Sequence, residues 1–185
     1  MNIKEYVDEA HKTAQQHGWH DERMSENHFL MLIITEIVEL IQADRKNKHT
    51  RRELFELRLK VSPGDPDNRF IDWFEPFVKN TFEDELADIC IRTFDLIGEF
   101  NVKIEQLEKI HSEINQEFDN DTLTEQCFNV IGAIIECDNL PINCRNILIV
   151  AEHWAKLYEI DLEWHIKQKM RYNRLRQWRH GNMKY

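Results

Sequence analysis

"FLMLIITEIVELIQADR" (29–45) and "TFEDELADICIRTFDLIGEF" (81–100) decide the reading of this chain. Both are too long for ordinary strands and apolar on nearly every side, the pattern of helices buried in a bundle. Each also carries two carboxylates three positions apart, Glu36 with Glu39 and Glu85 with Asp88. Residues i and i+3 of an α-helix lie about 60° apart around the axis, so each pair projects from one face. Glu-x-x-Glu by itself is ordinary on a solvated helix, and the chain has 34 acidic residues to place. The apolar neighbours (Ile33, Ile34, Ile37 and Leu40 in one segment, Leu86, Ile89 and Ile91 in the other) change that. A buried carboxylate needs a partner or a metal. Side by side, the two helices aim four carboxylates at one point, where they repel unless a hard cation joins them. An all-oxygen set suits Mg²⁺, with Mn²⁺ as a substitute, and leaves coordination positions for water and phosphate.

The rest of the composition agrees with a helical protein. The 185 residues suffice for one domain with a real core, and 42% are hydrophobic against 31% charged. Five glycines and four prolines leave little turn chemistry. No apolar run has the length of a transmembrane span, and the amphipathic start "MNIKEYVDEAHKTA" has no signal-peptide core, so a cytoplasmic protein without membrane partners is expected. Cys90, Cys127, Cys137 and Cys144 show no Cys-x-x-Cys spacing and are read as reduced packing residues. A net charge of −10 argues against a nucleic-acid partner, which calls for a basic face. It leaves room for a small anionic substrate whose phosphates meet a metal and local cations.

Along the chain, a first helix is expected over 3–17, stopping at Gly18. Ser25 or Asn27 caps the helix of Glu36 and Glu39, and Thr81, with Asp84 three residues on, caps the helix of Glu85 and Asp88. Residues 46–78 read as an irregular insertion around "SPGDPDN", with Phe70, Trp73, Phe74 and Phe77 packing down. Further helices are expected over 103–118, 122–138, 143–158 and 162–178, and no segment alternates with period two. The fold class is therefore all-α, a single-domain helical bundle over 1–185. A faint internal echo accompanies it at an offset of 58, laying "DICIRTFDLIGEFNVKIEQLEKIHSEIN" over "NILIVAEHWAKLYEIDLEWHIKQKMRYN". In that overlay Glu85 and Asp88 fall on Asn143 and Asn146, so a degenerate second copy would have lost the acidic pair.

Near the C-terminus, "HIKQKMRYNRLRQWRHGNMKY" puts Lys169 and Asn173 on one helix face with Arg176 a turn further. A lysine, an amide and an arginine in a row suit phosphate oxygens and a sugar or base edge. On chemistry alone, a basic terminal helix complementing its own dipole is the plainer reading.

Four blocks then resemble a known family: "AHKTAQQHGWHDER", "LIITEIVELIQADRK", "KNTFEDELADICIRTFDL" and "IDLEWHIKQKMRYNRLRQWRHG". In order and chemistry they are similar to the MazG-like family of all-α nucleoside triphosphate pyrophosphohydrolases. That family is marked by Glu-x-x-Glu, Glu-x-x-Asp and a later Lys-x-x-x-Asn with Arg close behind. The resemblance implies attack of water on an NTP or dNTP, giving the monophosphate and pyrophosphate. It implies that Glu36, Glu39, Glu85 and Asp88 hold Mg²⁺, with one carboxylate or a metal-bound hydroxide activating the water. It implies that Lys169 contacts phosphate while Asn173 and Arg176 bind the nucleotide. Trp19 is implied as a stacking partner for the base and His11 as a further contact. Residues 46–78 and 101–142 depart from the compact family core. Relatives pair their subunits, and the long apolar helices here also suggest a homodimer.

Two rival readings stand beside this one. A ferritin-like di-metal carboxylate protein calls for two Glu-x-x-His motifs, and the chain offers Glu108 with His111 alone. A non-catalytic helical interaction module would leave the acidic pairs solvated.

Overall fold

Thr81 starts the helix on which the molecule is built. Its side chain accepts from the Asp84 N–H at 3.3 Å, and the Asp84 carboxylate reaches back to accept from the Asn80 N–H at 2.8 Å. Two orphan donors of the helix start are thereby satisfied. In the computed structural model, which describes residues 2–108 and 121–178, this helix runs Phe82–Glu99. Numbered in chain order it is α5, following α1 (Ile3–Gln16), α2 (Glu26–Arg45), α3 (Arg52–Val61) and α4 (Pro66–Phe77). After it come α6 (Ile104–Glu108), α7 (Leu123–Glu136), α8 (Leu140–Leu157) and α9 (Leu162–Leu175). Among the described residues there is no strand and no helix long and apolar enough to cross a membrane.

α5 is buried almost all round, as its sequence requires, and α1, α2, α8 and α9 pack against it. Ile33, Ile37 and Leu40 of α2 meet Leu86, Ile89 and Phe94 of α5 in the main core, where Cys90, Cys127 and Cys144 are also buried. All four cysteines are free thiols, with Cys137 half-buried. Ser25 caps α2 as expected, accepting from the His28 N–H. Gly18 ends α1 at φ +77°, a conformation that suits glycine. α1 comes close to α5 because of Gly98: a Cβ there would lie 2.6 Å from the Cβ of His11.

Residues 46–78 differ from the sequence expectation. They are not irregular but form the hairpin α3–α4, with its own small core of Phe55, Phe70, Phe74 and Val78 around Tyr172 of α9. The apparent loop "SPGDPDN" contains a helix start. Asp65 accepts from the Asp67 and Asn68 N–H groups, and Pro66 takes the first helical position, where its missing N–H matters least. The hairpin holds α9 in place: Phe74 stacks on Tyr172 at 4.5 Å, and the Tyr172 hydroxyl donates to Glu75 at 2.6 Å. The helix expected over 103–118 is seen as α6, and the remainder, with His111 and Lys109, lies outside the described residues.

Some helix bounds follow the offset of 58. α8 begins and ends 58 residues after α5, and α9 begins 58 after α6. Asn139 caps α8 where Thr81 caps α5. Asn101 and Glu159, equivalent in this register, both adopt positive φ, 51° and 55°. The next residues close the same turn, Val102 N–H to Ile97 C=O at 3.0 Å and Ile160 N–H to Ala155 C=O at 2.8 Å. Asn143, at the Glu85 position of this second segment, is buried and donates to the carbonyls of Cys137 and Ile134.

Candidate functional site

α2 and α5 place Glu36, Glu85 and Asp88 together, with one oxygen from each lying within 4.8 Å of the others. Glu36 and Glu85 are buried, and Asp88 is half-buried. Glu39 does not join this cluster among the described residues and is exposed. Three of the expected four carboxylates therefore converge. Glu36 faces α5, whereas Glu39, about 60° further round the axis, lies on the exposed side of α2.

Burial, followed by the charge of Asp88, pushes Glu36 up to about 7 and Glu85 up to about 9. Among the described residues two cations touch this cluster, Lys169 at Asp88 and Arg92, whose Nε donates to Glu36 at 2.9 Å. Lys169 is buried deeper, its Nζ 2.7 Å from Asp84 and 2.6 Å from Asp88. Burial alone would lower its pKa, but the attraction of the two aspartates prevails and raises it above the ordinary lysine value. Lys169 thus binds carboxylates of α5 and fastens α9 to it.

Beside the cluster opens a cleft of about 110 Å³, walled by α1, α2, α5 and α9. Asp88, Lys169, Asn173, Arg176 and Trp19 all line it, so the structure assembles residues scattered over most of the chain. Asn173 stands one turn after Lys169, its Oδ1 buried without a partner among the described groups. Arg176 lies just past the end of α9, contrary to the expected helix over 162–178, with extended backbone that turns it to the cleft. Its guanidinium sits 5.6 Å from the Tyr172 ring, and burial lowers its pKa. His11 is placed differently from the expectation. It is outside the cleft lining and donates from Nδ1 to Asp95, 3.0 Å away.

Sequence reasoning missed Asp84, Arg92, Asp95 and His20. Arg92 and Asp95 stand one and two helix turns beyond Asp88, on its face of α5, and that spacing was a signal available in the sequence. Asp84 was read as a capping residue only. It is one, but its other contact is Lys169, 85 positions away, which no local pattern reveals.

Comparison with models of known families, with curated proteins and with solved structures gives no match.

Proposed function

We propose that this protein is a Mg²⁺-dependent nucleoside triphosphate pyrophosphohydrolase, splitting an NTP or dNTP into the monophosphate and pyrophosphate. The observation that carries the reading is the buried Glu36–Glu85–Asp88 cluster opening onto a cleft lined by Lys169, Asn173, Arg176, Arg92 and Trp19. The donor set fits the metal. All three groups are hard oxygens, and burial with too little positive charge drives two of them toward the protonated form, a deficit that a small dication removes. Glu36, Glu85 and Asp88 would hold the ion, with Glu39 at the rim.

Bound there, Mg²⁺ supplies neutralisation of the phosphate oxygens and of the charge developing on them. The chain's own residues do the rest. Arg176 and Arg92 present guanidinium donors toward the phosphates. Lys169 adds a fixed positive charge behind Asp88. Asn173 has an unused buried carbonyl oxygen that suits a sugar hydroxyl or a base N–H. Trp19 offers a half-buried ring for stacking a base. Glu39, exposed and outside the cluster, is the carboxylate left to accept the proton of the attacking water. The all-oxygen cluster favours this over the di-iron carboxylate reading, which calls for histidine ligands.

A panel of canonical and modified NTPs and dNTPs with Mg²⁺ tests the proposal by product analysis. Intact pyrophosphate and a monophosphate are expected, with both lost in Glu85→Gln. Orthophosphate as first product, or full activity in that variant, overturns it.

A further inference from the structure

Two turns along α5 from Asp88 lies a second cluster of different chemistry, of which Asp95 lines the same cleft. Asp95 Oδ1 receives two imidazoles at once, His11 Nδ1 at 3.0 Å and His20 Nε2 at 2.8 Å. One ligand atom from each of the three residues lies within 4.8 Å of the others, and the three side chains come from α1, from the turn before α2 and from α5. All are mostly shielded, with His20 at 8% and Asp95 at 12% side-chain exposure.

We propose that His11, His20 and Asp95 form a binding site for a divalent transition ion, with Zn²⁺ the ion best matched to it. Two imidazole nitrogens, borderline donors, with one carboxylate oxygen make a mixed set that suits Zn²⁺ and is poor for Mg²⁺. The orientation of the rings is the second, independent observation. A metal-bound histidine almost always has its other ring nitrogen held by a hydrogen-bond acceptor. His20 turns Nε2 to the cluster and Nδ1 to Glu99, at 2.9 Å. His11 turns Nδ1 to the cluster and Nε2 to the Gln15 side-chain amide, at 2.8 Å. A half-turn of that amide, a change of assignment rather than of position, presents its oxygen to the Nε2–H. Glu99 follows Asp95 by one helix turn, so one face of α5 supplies both a ligand and the carboxylate that aligns a second ligand.

On binding, each histidine would end as a neutral imidazole protonated on the nitrogen that faces away from the cluster, Nε2 in His11 and Nδ1 in His20. Any second proton would pass to solvent, and the facing nitrogen would donate its lone pair to the metal. Asp95 Oδ1 exchanges two N–H donors for the cation. Three protein ligands leave a position for water on the side of the cleft, which Asp95 lines. The ion would join α1 and the following turn to α5, which helps to wall the cleft.

This site does not depend on the reaction proposed above, and one variant separates the two ideas. Metal-free full-length chain is titrated calorimetrically with Zn²⁺, and with Co²⁺ while the visible d–d absorption is recorded. Zn²⁺ should bind the wild type and the Glu85→Gln variant alike. Affinity should fall at least about 100-fold in His20→Ala and in His11→Ala, and about 10-fold in Glu99→Gln, which removes only the aligning carboxylate. The Co²⁺ band should appear in the wild type and vanish in Asp95→Asn. Should the histidine variants fail to fold, judged by helical circular dichroism, Glu99→Gln and the wild-type Co²⁺ spectrum decide. A folded wild type that binds no Zn²⁺, or Zn²⁺ affinity unchanged in Glu99→Gln and the folded histidine variants, overturns the proposal.

Discussion

Glu36 and Glu85 bind protons more tightly in the folded chain than in the unfolded one, and the consequence for stability has a definite sign. Above the ordinary glutamate value of 4.5, folding takes up protons at both sites, so the metal-free protein loses stability as pH rises. The loss ends only as Glu36 ionises near 7 and Glu85 near 9. Thermal melts in EDTA should therefore show Tm falling from about pH 5 to about pH 9, with Mg²⁺ flattening the profile and Glu85→Gln removing its upper part. A melting temperature independent of pH over that range would contradict the burial argument. Lys169 carries a second prediction. Lys169→Ala leaves Asp84 and Asp88 without their cation, and breaking a buried pair from one side costs about 3–5 kcal/mol. Urea unfolding should show that loss in addition to any weakening of nucleotide binding. At Gly98, two effects of substitution compete. Alanine improves helix propensity by about 1 kcal/mol, whereas its Cβ would meet the His11 Cβ at 2.6 Å, part of a neighbouring helix and not a movable side-chain tip. Overpacking of this kind costs about 1–3 kcal/mol, so Gly98→Ala should lower Tm and lengthen the His11–Asp95 contact.

The α3–α4 hairpin shows how an element away from the cluster serves it. Its aromatic core encloses Tyr172, which lies on α9 between Lys169 and Asn173. Phe74 is fully buried there and stacks on Tyr172. Phe74→Ala should cost about 3–5 kcal/mol and free α9 to shift against α5. The check is chemical denaturation alongside hydrogen exchange of the α9 amides, which should lose protection more than those of α1. A variant with normal α9 protection would make the hairpin a mere appendage. α5 and α8 present the other lesson at this scale. They share length, cap type and closing turn, yet only α5 has the acidic pair. In α8 the buried Asn143 instead donates to the backbone carbonyls of Ile134 and Cys137.

For the whole molecule, the exposed apolar side chains bear on assembly. Phe128 and Ile135 on α7 are 77% and 70% exposed, and Met31 and Val38 on α2 add to them. We propose a homodimer, most simply of twofold symmetry. Light scattering at micromolar concentration should give twice the chain mass, and Phe128→Glu should shift it toward the monomer if this face is used. The sequence by itself determined the helical class, the place of most helices, the cap at Thr81, a choice of Ser25 or Asn27 for the cap of α2, and the two acidic pairs. Each of these follows from interactions within a turn or two of chain, where periodicity and capping chemistry act. Only the tertiary structure decided that Glu39 stands apart from the cluster, that Lys169 is claimed by Asp84 and Asp88, and that His11 and His20 meet at Asp95. It also turned the insertion into a helical hairpin with its core on α9. Those outcomes depend on the rotation and separation of helices far apart in the chain, and packing of side chains between them sets both.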